Sequence, residues 1–95
     1  PEWVAVDETT KDVYLTLTNG SGNNAAVNSN RDPNPYGHIV RFREANRDNT
    51  ALAFEWDIFV ISGDPAYDPS VPASQPAFGS PDGIWVDPDG LVWIQ

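Results

Sequence analysis

Glu2 and Asp82 are two carboxylates at matched places in two copies of one short pattern, and acids placed this way can do metal chemistry. Setting Val86-Asp87 over Val6-Asp7 puts Ile84 on Val4, Asp82 on Glu2, and Val92-Trp93-Ile94 on Val13-Tyr14-Leu15. Each copy reads carboxylate, spacer, short apolar strand, Asp, turn, apolar strand. Two carboxylates that converge repel each other unless a cation or a proton sits between them. Hard cations such as calcium take oxygen ligands of this kind. The same residues have plainer roles open to them: Glu2 as a solvated acid, and Asp82 as the cap of a local turn.

The elements that must position these acids are strands. Residues 3–7 and 12–18 form a first hairpin, 37–44 a third strand and 52–61 a fourth, and 83–95 is a second hairpin. Ile84 to Asp87 and Val92 to Ile94 are β-branched and aromatic. Asp87-Pro88-Asp89-Gly90 between them fits a type I turn, with Pro fixing φ at the second position and Gly at the fourth. Thr16 and Thr18 alternate with Leu15 and Leu17, the period of a half-buried strand. His38, Val40 and Phe42 share one face, and Ile39, Arg41 and Arg43 the other. Phe54, Trp56, Ile58 and Val60 are expected together, opposite Glu55, Asp57, Phe59 and Ile61. Residues 19–36, whose apolar cluster is Ala25-Ala26-Val27, and residues 62–80 are long loops rich in Asn, Ser, Pro and Ala.

This layout predicts an all-β fold: one antiparallel β-propeller-like blade plus the first hairpin of the next, as a fragment of a β-propeller. The repeat offset of 80 residues, from Glu2 to Asp82, exceeds the roughly 40–50 of a common propeller blade; the two loops supply the excess. A small sandwich is the alternative, but it leaves the match of Glu2 with Asp82 unexplained. In a propeller, equivalent inner-strand positions converge near the axis.

Composition narrows the function. The 95 residues carry 14 acids against 5 basic groups, a net charge of −9, which argues against nucleic acid as a partner and against anionic membrane surfaces. There is no cysteine, hence no disulfide framework and no thiolate metal site. The Asn19-Gly20-Ser21 sequon lies in a loop. Trp3, Trp56, Trp85 and Trp93 read as packing aromatics. His38, the single histidine, reads as a hydrogen-bonded packing residue.

Pro1-Glu2-Trp3, Val13-Tyr14-Leu15-Thr16-Leu17-Thr18-Asn19, Asn34-Pro35-Tyr36-Gly37-His38-Ile39-Val40-Arg41, Phe54-Glu55-Trp56-Asp57-Ile58-Phe59 and Phe78-Gly79-Ser80-Pro81-Asp82-Gly83 follow one another in this order. Together they resemble the PhoX-type alkaline phosphatases, secreted bacterial phosphomonoesterases. The resemblance implies a decorated propeller whose axis holds iron and calcium. It also implies that Glu2 and Asp82 are metal ligands and that Arg41 is a phosphate-binding residue. Arg41 read by itself is equally a strand residue pairing with Glu55 or Asp57. The family's iron-ligating cysteine and further acidic ligands lie upstream of these motifs, so the segment alone is expected to be inactive, with no metal bound. The implied partners are phosphate esters and the remainder of the parent propeller, with no membrane insertion, in the periplasm or secreted. A calcium-dependent lactonase-type propeller and a non-catalytic propeller interaction segment are the alternative readings.

Overall fold

The computed structural model describes residues 1–22 and 31–95. The short β-branched runs become six strands: β1 Val4–Val6, β2 Val13–Leu17, β3 His38–Glu44, β4 Phe54–Ile61, β5 Ile84–Val86 and β6 Val92–Ile94. A 3₁₀ turn, Ala45–Arg47, joins β3 to β4, and the described residues contain no α-helix. No helix among them is long and apolar enough to cross a membrane. The first four strands form one antiparallel sheet in the order β1-β2-β3-β4, and among the described residues β5 pairs only with β6. This up-and-down order is that of a propeller-like blade followed by a separate hairpin. The Ala25-Ala26-Val27 cluster lies outside the described residues.

The hairpin packs on one face of the sheet. Tyr14, Ile39, Ile84 and Val86 are buried there, with Ala5, Val60 and Val92 packed against them. Burying each large apolar side chain stabilises by roughly 1.5–3 kcal/mol, so this small cluster is what fixes the hairpin to the sheet. Tyr14 also meets Phe59 edge-on, with ring centroids 5.0 Å apart. The opposite face is open. Leu15, Leu17, Val40, Phe42, Phe54 and Trp56 line a hollow of about 340 Å³ on it.

Two expectations are corrected here. The register slips between Ile39 and Val40, so that Ile39 faces Val60 while Val40 faces Ile58. Phe59 is the extra residue of a β-bulge, which breaks the strict alternation along β4. Val60 therefore joins the core beside Ile39 instead of sharing a face with Trp56. Second, the four tryptophans do not build the core: Trp3, Trp56, Trp85 and Trp93 are 48–59% exposed. Trp85 and Trp93 oppose each other across β5–β6, on the side away from the buried Ile84 and Val86. Along the half-buried β2, Thr16 lies on the buried side and is 0% exposed, while Leu15 and Leu17 face the open hollow.

The two long loops are pinned to the end of the sheet by one buried cation. Arg31 donates from Nε to Asn34 Oδ1 (3.1 Å), from Nη2 to the Ser62 carbonyl (2.7 Å) and from Nη1 to Ser70 Oγ (3.2 Å), and pairs with Asp68 at 3.1 Å. Asn34 Oδ1 also accepts the Gly37 N–H, so its amide nitrogen is the donor toward His38 Nδ1 at 2.6 Å. Nδ1 must then be unprotonated and Nε2 carries the hydrogen. Burial, and then the nearby Arg31, hold the His38 pKa below its ordinary 6.5. Gly37 has φ +78°, and a Cβ there would lie 2.2 Å from the Leu17 carbonyl oxygen. Only glycine lets the chain enter β3 this close to β2.

Candidate functional site

Each hairpin continues one ladder step beyond its strands, and the two carboxylates sit on those steps. The Glu2 N–H donates to the Thr16 carbonyl (3.1 Å), and the Thr16 N–H returns to the Trp3 carbonyl (3.0 Å). In the second hairpin the Asp82 N–H donates to the Gln95 carbonyl (2.7 Å), and the Gln95 N–H returns to the Gly83 carbonyl (2.8 Å). The pairing Val4 with Leu15 and Val6 with Val13 has its counterpart in Ile84 with Ile94 and Val86 with Val92. Glu2 and Asp82 thus occupy equivalent backbone positions.

Asp7 and Asp87 close the two hairpins in the same way. Asp7 Oδ1 accepts the N–H groups of Thr9 (2.8 Å) and Thr10 (3.0 Å). Asp87 Oδ1 accepts those of Asp89 and Leu91, both at 2.9 Å, while Oδ2 takes the Trp93 indole N–H at 2.9 Å. These bonds favour the charged forms. The Asp7 pKa is lowered chiefly by the Thr10 N–H, and the Asp87 pKa chiefly by the Trp93 indole.

The copies meet at Thr16. Its Oγ1 accepts the Trp3 N–H at 2.9 Å and lies 2.9 Å from the Asp82 carbonyl oxygen. Next to it, Thr18 Oγ1 donates to the Pro81 carbonyl at 2.9 Å, and the Ser80 N–H donates to the Tyr36 carbonyl at 2.8 Å. Ser80 itself is held at φ +56°, a left-handed conformation costing a non-glycine residue about 1–2 kcal/mol. The approach to Asp82 is therefore fixed by bonds on both sides. Both carboxylate residues are exposed, and Asp82 and Trp3 line a cleft of about 440 Å³ together with Trp85, Trp93 and Gln95.

Arg41 stands elsewhere on the sheet. Its Nε and Nη2 grip the two oxygens of Asp57 at 3.1 and 2.5 Å, and its guanidinium carbon lies 5.4 Å from the centre of the Phe59 ring. It lines a separate groove of about 250 Å³ with Arg43, Glu55 and Asp57. The Asp57 carboxylate raises its pKa. Arg43 is paired with the buried Asp12 at 2.7 Å, and Lys11 with Glu8 at 3.3 Å. Among the described residues, no three His, Cys, Asp or Glu side chains gather as a metal site.

Thr16 is the residue that sequence reasoning passed over. The signal available was Tyr14 two positions earlier: a large aromatic on the same strand face marks the buried side, and Thr16 shares it. Nothing in the spacing marked Arg31, whose partners Asn34, Ser62 and Asp68 are gathered from two loops.

Comparison with known proteins gives one consistent answer. The family model described as alkaline phosphatase PhoX matches residues 1–95. A solved structure of Pseudomonas fluorescens PhoX, in complex with vanadate, a transition state analogue, is 34% identical and superposes with a TM-score of 0.78. The match covers 99% of this chain and 18% of that one. No curated protein matches.

Proposed function

Because the chain belongs to the PhoX alkaline phosphatase family, we propose that it is one segment of a longer metal-dependent phosphomonoesterase, to which Glu2 and Asp82 contribute metal ligands. The equivalence of the two acids in the repeated hairpin, with the Glu2 N–H bonded to the Thr16 carbonyl and the Asp82 carbonyl to Thr16 Oγ1, is the observation that supports this reading most directly. Asp82 lines the open cleft and Glu2 is exposed just before β1, and exposed carboxylates of this kind fit calcium well. Two carboxylates are too few for a complete set of ligands, so the remaining donors, and any softer one for iron, come from other parts of the parent. Calcium and iron bound there would activate the attacking oxygen and neutralise charge on the phosphate.

This chain's own residues hold the two acids in register, leave the cleft open beside Trp3 and Trp85, and present Arg41. Arg41 is assigned to phosphate contact: Asp57 takes its Nε and one Nη2 donor and Phe59 lies beside the guanidinium, which orients the remaining Nη1 and Nη2 donors for a phosphate. The segment by itself is inactive, and the parent works in the periplasm or outside the cell.

The test is made in the full-length parent. Glu2→Gln and Asp82→Asn each lower the bound metal per chain and cut kcat by more than about 100-fold, beyond what loss of an outer partner of a ligand costs. Arg41→Lys raises KM for phosphate esters more than it lowers kcat. Wild-type metal content in both carboxylate variants would sink the ligand assignment.

A further inference from the structure

We propose that Thr16 is the positioning residue that sets the spacing of the two proposed ligand carboxylates, an inference that rests on the reading of Glu2 and Asp82 just given. The hydroxyl has one hydrogen to donate and two carbonyl oxygens within reach, Asp82 at 2.9 Å and Trp3 at 3.2 Å. The Trp3 oxygen already accepts the Thr16 N–H at 3.0 Å. The hydrogen therefore goes to Asp82, and a continuous bridge runs from the Trp3 N–H through Oγ1 to the Asp82 carbonyl. Trp3 adjoins Glu2, so one buried oxygen joins the backbones that carry both acids. In the second hairpin Gln95, a residue without a hydroxyl, occupies the position equivalent to Thr16. Thr18 acts on the same stretch from one side, through the Pro81 carbonyl. Outer groups that orient ligands typically change metal affinity about 10–100-fold when removed.

The experiment uses calcium titration, bound-metal analysis and steady-state kinetics on the full-length parent. Thr16→Val keeps the branched shape but deprives the Trp3 N–H and the Asp82 carbonyl of their partner. It weakens calcium binding about 10–100-fold, and activity returns at saturating calcium with KM for the ester unchanged. Thr16→Ser restores the hydroxyl and with it near wild-type affinity. Wild-type affinity in Thr16→Val, or failure of Thr16→Ser to restore it, overturns the proposal. If Thr16→Val does not fold, Thr16→Ala is compared with Thr16→Ser: weaker calcium binding in Thr16→Ala alone supports the bridge, and equal binding in the two refutes it. Asp82→Asn is measured in parallel. Wild-type binding in that variant would overturn the ligand reading itself, whereas lost binding there with unaltered Thr16→Val would overturn only the role of Thr16.

Discussion

The β1–β2 and β5–β6 hairpins begin from the same pattern and end in different circumstances. Both close on an aspartate that caps its own turn, and both carry a carboxylate one ladder step before the first strand. The first is extended by β3 and β4 into a four-stranded sheet; the second remains a pair. Isolated two-stranded hairpins are marginal in water, so β5–β6 depends on the face it covers, around Tyr14 and Ile39. Local sequence sets the shape of each hairpin, but its stability comes from what lies across from it.

The comparison breaks most readily at Ile39, which is 0% exposed between the sheet and the second hairpin. Ile39→Ala should cost about 2–5 kcal/mol, read by chemical denaturation. Hydrogen exchange should rise in β5–β6 before it rises in β1–β2. Equal rises would mean that the hairpins share one cooperative unit. A smaller effect separates the turns. Lys11 at φ +65° and Gly90 at φ +83° both lie in the left-handed region, which favours glycine. Gly90→Ala should cost about 1–2 kcal/mol, although a Cβ there meets nothing within 4 Å. Lys11→Gly should stabilise by less than about 1 kcal/mol, because relief of strain is offset by the entropy of glycine. Opposite signs in the two thermal unfolding midpoints would show that the turns differ by residue and not by conformation.

The mildest contrast is with pH. His38 is a base with a lowered pKa, so the unfolded chain binds its proton first as pH falls below 6.5. Stability should be full above 6.5 and decline below it, until the folded pKa is reached. Asp7 and Asp87 have pKa values below their ordinary 3.8. Their contribution is present above 3.8 and is lost as pH falls through the lower folded values. Unfolding midpoints followed from pH 7 to pH 2 should therefore decline in two stages. Asp87→Asn should diminish only the more acidic stage.

The hairpins were legible because their determinants are local. Asp87-Pro88-Asp89-Gly90 forms the expected turn, with the Gly90 N–H donating to the Asp87 carbonyl at 3.0 Å. The equivalence of Glu2 and Asp82 followed from the same short-range pattern. What was hidden depended on distant partners. The bulge at Phe59 is a mismatch between β3 and β4 that neither strand displays alone. Which side of β2 is buried was decided by β5–β6, about 70 residues later in the chain. The pairing of Arg41 with Asp57 was one of two partners left open, and the strand register selected it.

The ion pairs have one further consequence. Lys11, Arg31, Arg41 and Arg43, four of the chain's 5 basic side chains, are each matched to a carboxylate within the fold. Viewed from a distance, their fields largely cancel, and the surplus of −9 dominates what an approaching ion experiences. Such a surface concentrates cations and turns anions away, with a reach of about 8 Å at physiological ionic strength. A small anion would meet a repulsive approach until that charge was neutralised by cations gathered at the surface. The rate at which an anion reaches the chain would therefore rise with added salt.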